Sequence, residues 1–128
     1  DLIERHKRDR GPEWTNVEEL TDIQNVDVSG RVVVIDCVTL WATNFFMAND
    51  GDVEDTLAQL KERFVQFTAR EAIFIFVTNE IGLGGISSND LQRRFTDLIG
   101  WMNQFIARVA DEVVLMVSGM AVKIKEVG

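Results

Sequence analysis

The sequence is poor in the residue types that commit a chain to staples, metal clusters or membrane life. Its 128 residues hold one cysteine, Cys37, which excludes an internal disulfide and a cysteine-cluster zinc site. They hold one histidine, His6. A histidine-based metal site is therefore a poor reading, and no nucleophile elbow supports a Ser-His-Asp triad. The longest clean apolar stretch, Ala72 to Val77, is far too short to span a bilayer. No secretory hydrophobic region is found, so a reducing cytoplasm is the expected compartment. Cations are scarce: thirteen Lys+Arg face 21 Asp+Glu, for a net charge of −8. That balance argues against a general nucleic-acid binder, which needs broad positive charge to displace counterions. Internal repeats, low-complexity tracts and linkers are also lacking. What remains is 46% hydrophobic and 27% charged, the composition of a single globular domain over residues 1–128 with a core of its own. The sequence begins with Asp1 rather than Met, and we expect a processed, trimmed or fragmentary chain.

Strands alternate with helices. The opening stretch to Arg10 reads as a short helix stopped by Gly11-Pro12. Residues 15–30 read as a polar loop with one helical turn around Val17–Leu20. Arg31–Asp36, with four consecutive β-branched residues, predicts a strand covered on both faces. A helix is expected over Thr39–Met47, then a turn at Asn49–Asp52. A second helix follows, with Val53, Leu57, Leu60, Phe64 and Phe67 on one face. Glu71–Thr78 is a second buried strand. A glycine-rich loop, Asn79–Ser88, leads to a long helix capped by Ser87 or Ser88 and running to about Ala110. Its expected core stripe is Leu91, Phe95, Leu98, Met102, Phe105 and Val109. Val113–Val117 is a third buried strand, and Ala121–Lys125 an edge strand across a tight turn. The order implies an α/β protein with a largely parallel sheet.

The most unusual local feature is Arg5-His6-Lys7-Arg8-Asp9-Arg10. Four of the thirteen cations and the only histidine fall within six positions. A concentrated positive spot on an acidic body suits a phosphorylated small molecule. On a helix, His6 and Arg10 share a face, and neighbouring cations favour the neutral, nucleophilic imidazole. A solvated basic helix with an idle histidine is the other reading. Asp36 ends a strand, where ligands bind in α/β sheets. An aspartate there is the pattern of a Mg²⁺ holder, or simply a helix cap. The Asn79–Gly85 run permits close backbone approach to a ligand but matches neither GxGxxG nor GxxxxGK[ST]. Cys37 is expected to pack rather than react. Trp14, Trp41 and Trp101 are core or interface candidates.

Taken in order, HKRDR-x-x-x-W, VVVIDCVTLWATN, FVTNEIGLGG and RRFTDLIGWMNQFIARVADEVVLMVSG, ending in VKIK, carry a likeness to a known family. The sequence resembles the bifunctional adenosylcobinamide kinase/adenosylcobinamide-phosphate guanylyltransferases (the CobU/CobP type) from about residue 1 to residue 125. The VTNE-x-G-x-G loop and the RxF-x-D-x-x-G-x-x-NQ helix are its most specific parts. The resemblance implies a P-loop NTPase-like (RecA-like) three-layer sandwich with a mostly parallel sheet. It implies cobalamin biosynthesis: phosphorylation of adenosylcobinamide, then transfer of GMP from GTP through a GMP-histidine, with GTP or ATP and Mg²⁺ as expected partners. By motif His6 is the nucleophile. Lys7, Arg8, Asp9 and Arg10 accompany it at the nucleotide, Glu18 resembles a contact to guanine or ribose, and Asp36 matches the acidic strand end that handles Mg²⁺ or nucleotide. A homotrimer or other homo-oligomer is implied, with no nucleic acid and no membrane. Trp41, Phe45 and Phe46 are candidates for its interface as well as for the core.

Two departures stand out. The family has Arg-Pro after the basic segment, where this sequence has Arg10-Gly11-Pro12. The family also opens with a strand and a GGxRSGKS-type phosphate loop, and no such motif occurs here. The first βα unit is thus expected to be missing, the sheet to lack a central strand, and this chain alone to be inactive. The alternative is a non-catalytic nucleotide-binding or assembly subunit derived from that fold, or an α/β domain whose basic patch docks an acidic partner.

Overall fold

A computed structural model describes residues 14, 17, 19, 21–79 and 89–126. The expected helices at the N-terminus and the glycine-rich loop lie outside the described residues. No helix forms at Val17 or Glu19; a single 3-10 turn lies instead at Ile23–Asn25.

Strand β1 is Val32–Asp36. Four β-branched side chains in succession favour extended backbone. It pairs in parallel with β2, Ile73–Val77, in a register that sets Val32 beside Ile73 and Asp36 beside Val77. Helix α1, Val38–Ala48, buries Val38, Trp41, Ala42, Phe45 and Phe46, one helical face. The Trp41 indole N–H donates to the Thr21 carbonyl at 3.0 Å, which pins the incoming loop to α1. Trp41, Phe45 and Phe46 are therefore core residues, not interface residues.

The turn into helix α2, Val53–Thr68, passes through Asp50 (φ 53°) and Gly51 (φ 77°). Gly51 is required twice over. Its backbone is left-handed, and a Cβ there would lie 3.0 Å from Leu91 Cδ1. Asp52 caps α2 by accepting from the Asp55 amide at 2.9 Å, and Glu54 and Asp55 complement the positive helix end. Leu60, Phe64 and Phe67 are buried as the periodicity predicts, with Val53 and Leu57 packed at the margin.

Helix α3, Asp90–Val109, is capped by Asn89, whose side chain accepts from the Leu91 and Gln92 amides. The cap is thus one residue beyond the expected serines. The buried stripe is Leu98, Ile99, Met102 and Ile106, with Phe95 and Phe105 partly buried, while Leu91 and Val109 are exposed. The helix outruns the core at both ends: Leu91 meets only the Gly51 turn and the rim of the core, and Val109 is exposed.

Strands β3, Val113–Val117, and β4, Met120–Lys125, form an antiparallel hairpin. Ser118 and Gly119 both have positive φ, the geometry that joins twisted strands through two residues. Lys125 Nζ donates to the Ala107 and Arg108 carbonyls, each at 3.0 Å. A cation there satisfies the orphan carbonyls at the negative end of α3.

The mixed α/β class is as expected, but among the described residues the strands form two two-stranded sheets, β1-β2 and β3-β4, rather than one. The parallel pair is covered on one face only. Val33, Ile35, Phe74 and Phe76 pack on α2 and the core, whereas Val32, Val34, Ile73, Ile75 and Val77 are exposed. The expected burial of both faces, and of β3, is not met. No described strand bonds to the free edge of β2 or β3, and no described helix covers the second face.

Candidate functional site

The parallel register brings the carboxyl ends of β1 and β2 together. Asp36, the last residue of β1, stands opposite Val77 and is solvent-exposed. Helix α1 begins two residues later, with Cys37 as a cap residue whose side chain makes no capping hydrogen bond. Cys37 is a half-buried free thiol. In α/β sheets this is the end at which ligands sit.

The chain leaving β2 is tied down on the same side. Thr78 Oγ1 donates to Asn103 Oδ1 at 2.7 Å, and Asn103 Nδ2 donates to the Asn79 carbonyl at 3.1 Å. One side chain of α3 thereby holds two consecutive residues of the strand end. Both partners lie in the motifs that carry the family likeness, but the sequence does not show that they meet. The local trace of the contact is the polar Thr-Asn step after an apolar strand and the Asn-Gln pair within a helix.

Of the sequence-predicted site residues, Asp36 is the one the described residues include. His6, Lys7, Arg8, Asp9, Arg10 and Glu18 lie outside them. Among the described residues no group of three or more His, Cys, Asp or Glu could enclose a metal ion. One carboxylate at a strand end fits Mg²⁺ of the kind carried mainly by nucleotide phosphates and water, which takes one or two protein carboxylates.

A shallow concavity of about 440 Å³ lies between α1 and the start of α3, lined by Thr43, Phe46, Met47, Leu91, Gln92, Phe95 and Thr96. None of these side chains is charged, so the hollow offers no phosphate chemistry. Beside it, Arg94 donates to the Gly51 carbonyl at 2.9 Å and pairs with Asp90 at 3.1 Å. That places the guanidinium as a clasp on the α1–α2 turn. Among the described residues no helix is long and apolar enough to cross a membrane.

Comparison with known proteins gives a consistent picture. The family described as cobinamide kinase / cobinamide phosphate guanyltransferase matches residues 1–124. The bifunctional adenosylcobalamin biosynthesis protein CobU of Escherichia coli (strain K12) is 34% identical, over 96% of this chain and 76% of its own length. The CobU protein of Salmonella typhimurium is 33% identical with the same coverage. The bifunctional adenosylcobalamin biosynthesis protein CobP of Pseudomonas aeruginosa is 30% identical, over 96% of this chain and 72% of its own length.

Proposed function

Given that this chain belongs to the cobinamide kinase / cobinamide phosphate guanyltransferase family, we propose that it carries the guanylyl-accepting histidine of a cobalamin-biosynthesis enzyme. The observation that carries this reading is the extent of the match. Residues 1–124 take in both the basic segment around His6 and the strand end at Asp36.

The chemistry is two displacements at one phosphorus. Neutral His6 attacks the α-phosphorus of GTP; an N–P bond forms, the bond to the bridging oxygen breaks, and pyrophosphate leaves. A phosphate oxygen of adenosylcobinamide phosphate then attacks the same phosphorus. The N–P bond breaks, and adenosylcobinamide-GDP and free His6 are produced. A covalent intermediate divides one difficult transfer into two easier ones. Lys7, Arg8 and Arg10 offset the charge gathering on the phosphates, and Asp9 and Glu18 complete the nucleotide surface. Asp36 would hold Mg²⁺, which when bound neutralises phosphate charge. Incubating the full-length protein with GTP and Mg²⁺ is expected to add the mass of one GMP per chain as an acid-labile adduct. An unmodified protein would remove the histidine carrier from the reading.

The same reading completes the fold with a phosphate-loop βα unit, its strand laid between β2 and β3. Three observations support it. Among the described residues β2 bonds only to β1 and β3 only to β4, the uncovered face of β1-β2 is aliphatic, and the chain spans about three quarters of its curated relatives. Gly100 provides a test. It lies one turn before Asn103 on α3, and no described atom comes within 4 Å of a Cβ built there. On an open helix face Gly100→Ala would raise stability by about 1 kcal/mol. In the full-length protein, with a unit packed against that face, we expect a loss instead, read by urea denaturation. The reading includes a homo-oligomer, a trimer in the family pattern. The exposed hairpin side chains Met116, Met120 and Ile124 are available to its contacts.

A further inference from the structure

The NQ step of α3 is specific to the sequence motif, yet the guanylyl-transfer steps give it no task. Its geometry does. Asn103 is half-buried on α3, with Thr78 and Asn79 exposed at the end of β2. Its amide offers one acceptor and one donor from a single carbon, and both are used on neighbouring residues, at 2.7 Å to the Thr78 hydroxyl and 3.1 Å to the Asn79 carbonyl. No other side chain of this length supplies that pair. Aspartate would keep the acceptor and set a second oxygen against the Asn79 carbonyl, and leucine would supply neither group. The two partners lie 25 and 24 residues away in sequence, so the bracket joins distant parts of the fold rather than trimming the helix.

Val77, the residue before this bracket, is the register partner of Asp36. Fixing residues 78 and 79 therefore fixes how the backbone departs from the sheet immediately beside the proposed Mg²⁺ and nucleotide carboxylate. Solvent-exposed hydrogen bonds add little net stability. A bracket that adds little to folding but fixes geometry at the ligand end of the sheet acts on binding. Resting on the function proposed above, we propose that Asn103 is a positioning residue for the nucleotide site. It holds the end of β2 against α3 so that a Mg²⁺-nucleotide is received in one arrangement beside Asp36.

The test uses the full-length protein and Mg²⁺·GTP, with Asn103→Asp, Asn103→Leu and the near-isosteric Thr78→Val. Each variant is expected to raise the KM for GTP in adduct formation about tenfold, the scale on which displaced supporting groups act. Each should still reach one GMP per chain at saturating GTP, with a melting temperature close to wild type. The Thr78→Val/Asn103→Leu double variant should be no worse than the worse single one, because both remove the same bracket. Wild-type adduct formation with an unchanged KM in the variants overturns this proposal while leaving the histidine carrier standing. A melting-temperature loss that accounts for the lost activity also overturns it, since the bracket would then be ordinary packing. A wild-type protein that accepts no GMP and binds no Mg²⁺·GTP by calorimetry overturns both.

Discussion

His6→Ala is expected to abolish GMP transfer to adenosylcobinamide phosphate while sparing phosphorylation of adenosylcobinamide in the full-length protein. In the proposed scheme only GMP transfer needs a covalent carrier, so the two activities should divide. With no imidazole there is no N–P bond to form, and direct attack by the cobinamide phosphate must bring two anions together without an intermediate. Loss of a nucleophile costs on the order of 10³-fold or more, so transfer should fall to background and the mass adduct should vanish. His6→Asn keeps a polar side chain and should fail equally, which separates nucleophilicity from mere hydrogen bonding. The kinase step should stay within a few-fold of wild type, because the folded core and Asp36 are untouched. Transfer that persists at a substantial rate in His6→Ala would show that the guanylate never rests on this residue.

Phe64→Ala is expected to produce the largest loss of stability. The ring is 2% exposed, and it joins three elements of the fold. Its centroid lies 4.8 Å from that of Phe76 on β2 and 5.7 Å from that of Phe105 on α3. Removing it leaves a void that neither the sheet nor the second helix can fill, and such truncations cost roughly 3–5 kcal/mol. That is a large share of the roughly 5–15 kcal/mol that holds a typical domain folded. Phe64→Leu, which keeps much of the volume, should cost less than about 1.5 kcal/mol. Val65→Ala, one position on and exposed, should stay within about 0.5 kcal/mol of wild type. Urea unfolding midpoints check all three. A Phe64→Ala loss no larger than that of Val65→Ala would mean the aromatic cluster is not the keystone of the core.

These two residues mark what local pattern can and cannot reveal. The face of α2 that carries Phe64 follows from periodicity alone, because a helix repeats its buried side every three to four residues. Strand identity was equally legible from the run Val32 to Ile35. Whether a strand is covered once or twice was not, because an apolar run reports what a surface wants and not what is there to meet it. The stripe of α3 was misread at its ends for a related reason. Leu91 and Val109 fit the period, but burial also requires a partner at that height along the helix, and Ile99 and Ile106 have one. At the candidate site, the rule for strand ends points to Asp36, and the structure sets that residue at the end of β1. Asn103 stands in a quoted motif, but its bonds to Thr78 and Asn79 span about two dozen residues and leave no periodic trace.

The terminal hairpin carries a consequence for cooperativity. Of its strand residues, all but Val113 and Lys125 are exposed, and the Lys125 ammonium is its clasp on the last carbonyls of α3. An element that, among the described residues, is held by one such clasp opens on its own, in a sub-global excursion far cheaper than melting the helices. Its amides would exchange with deuterium while those of Leu60 and Leu98 stay protected. A strand that welded the two sheets together would merge the two rates into one.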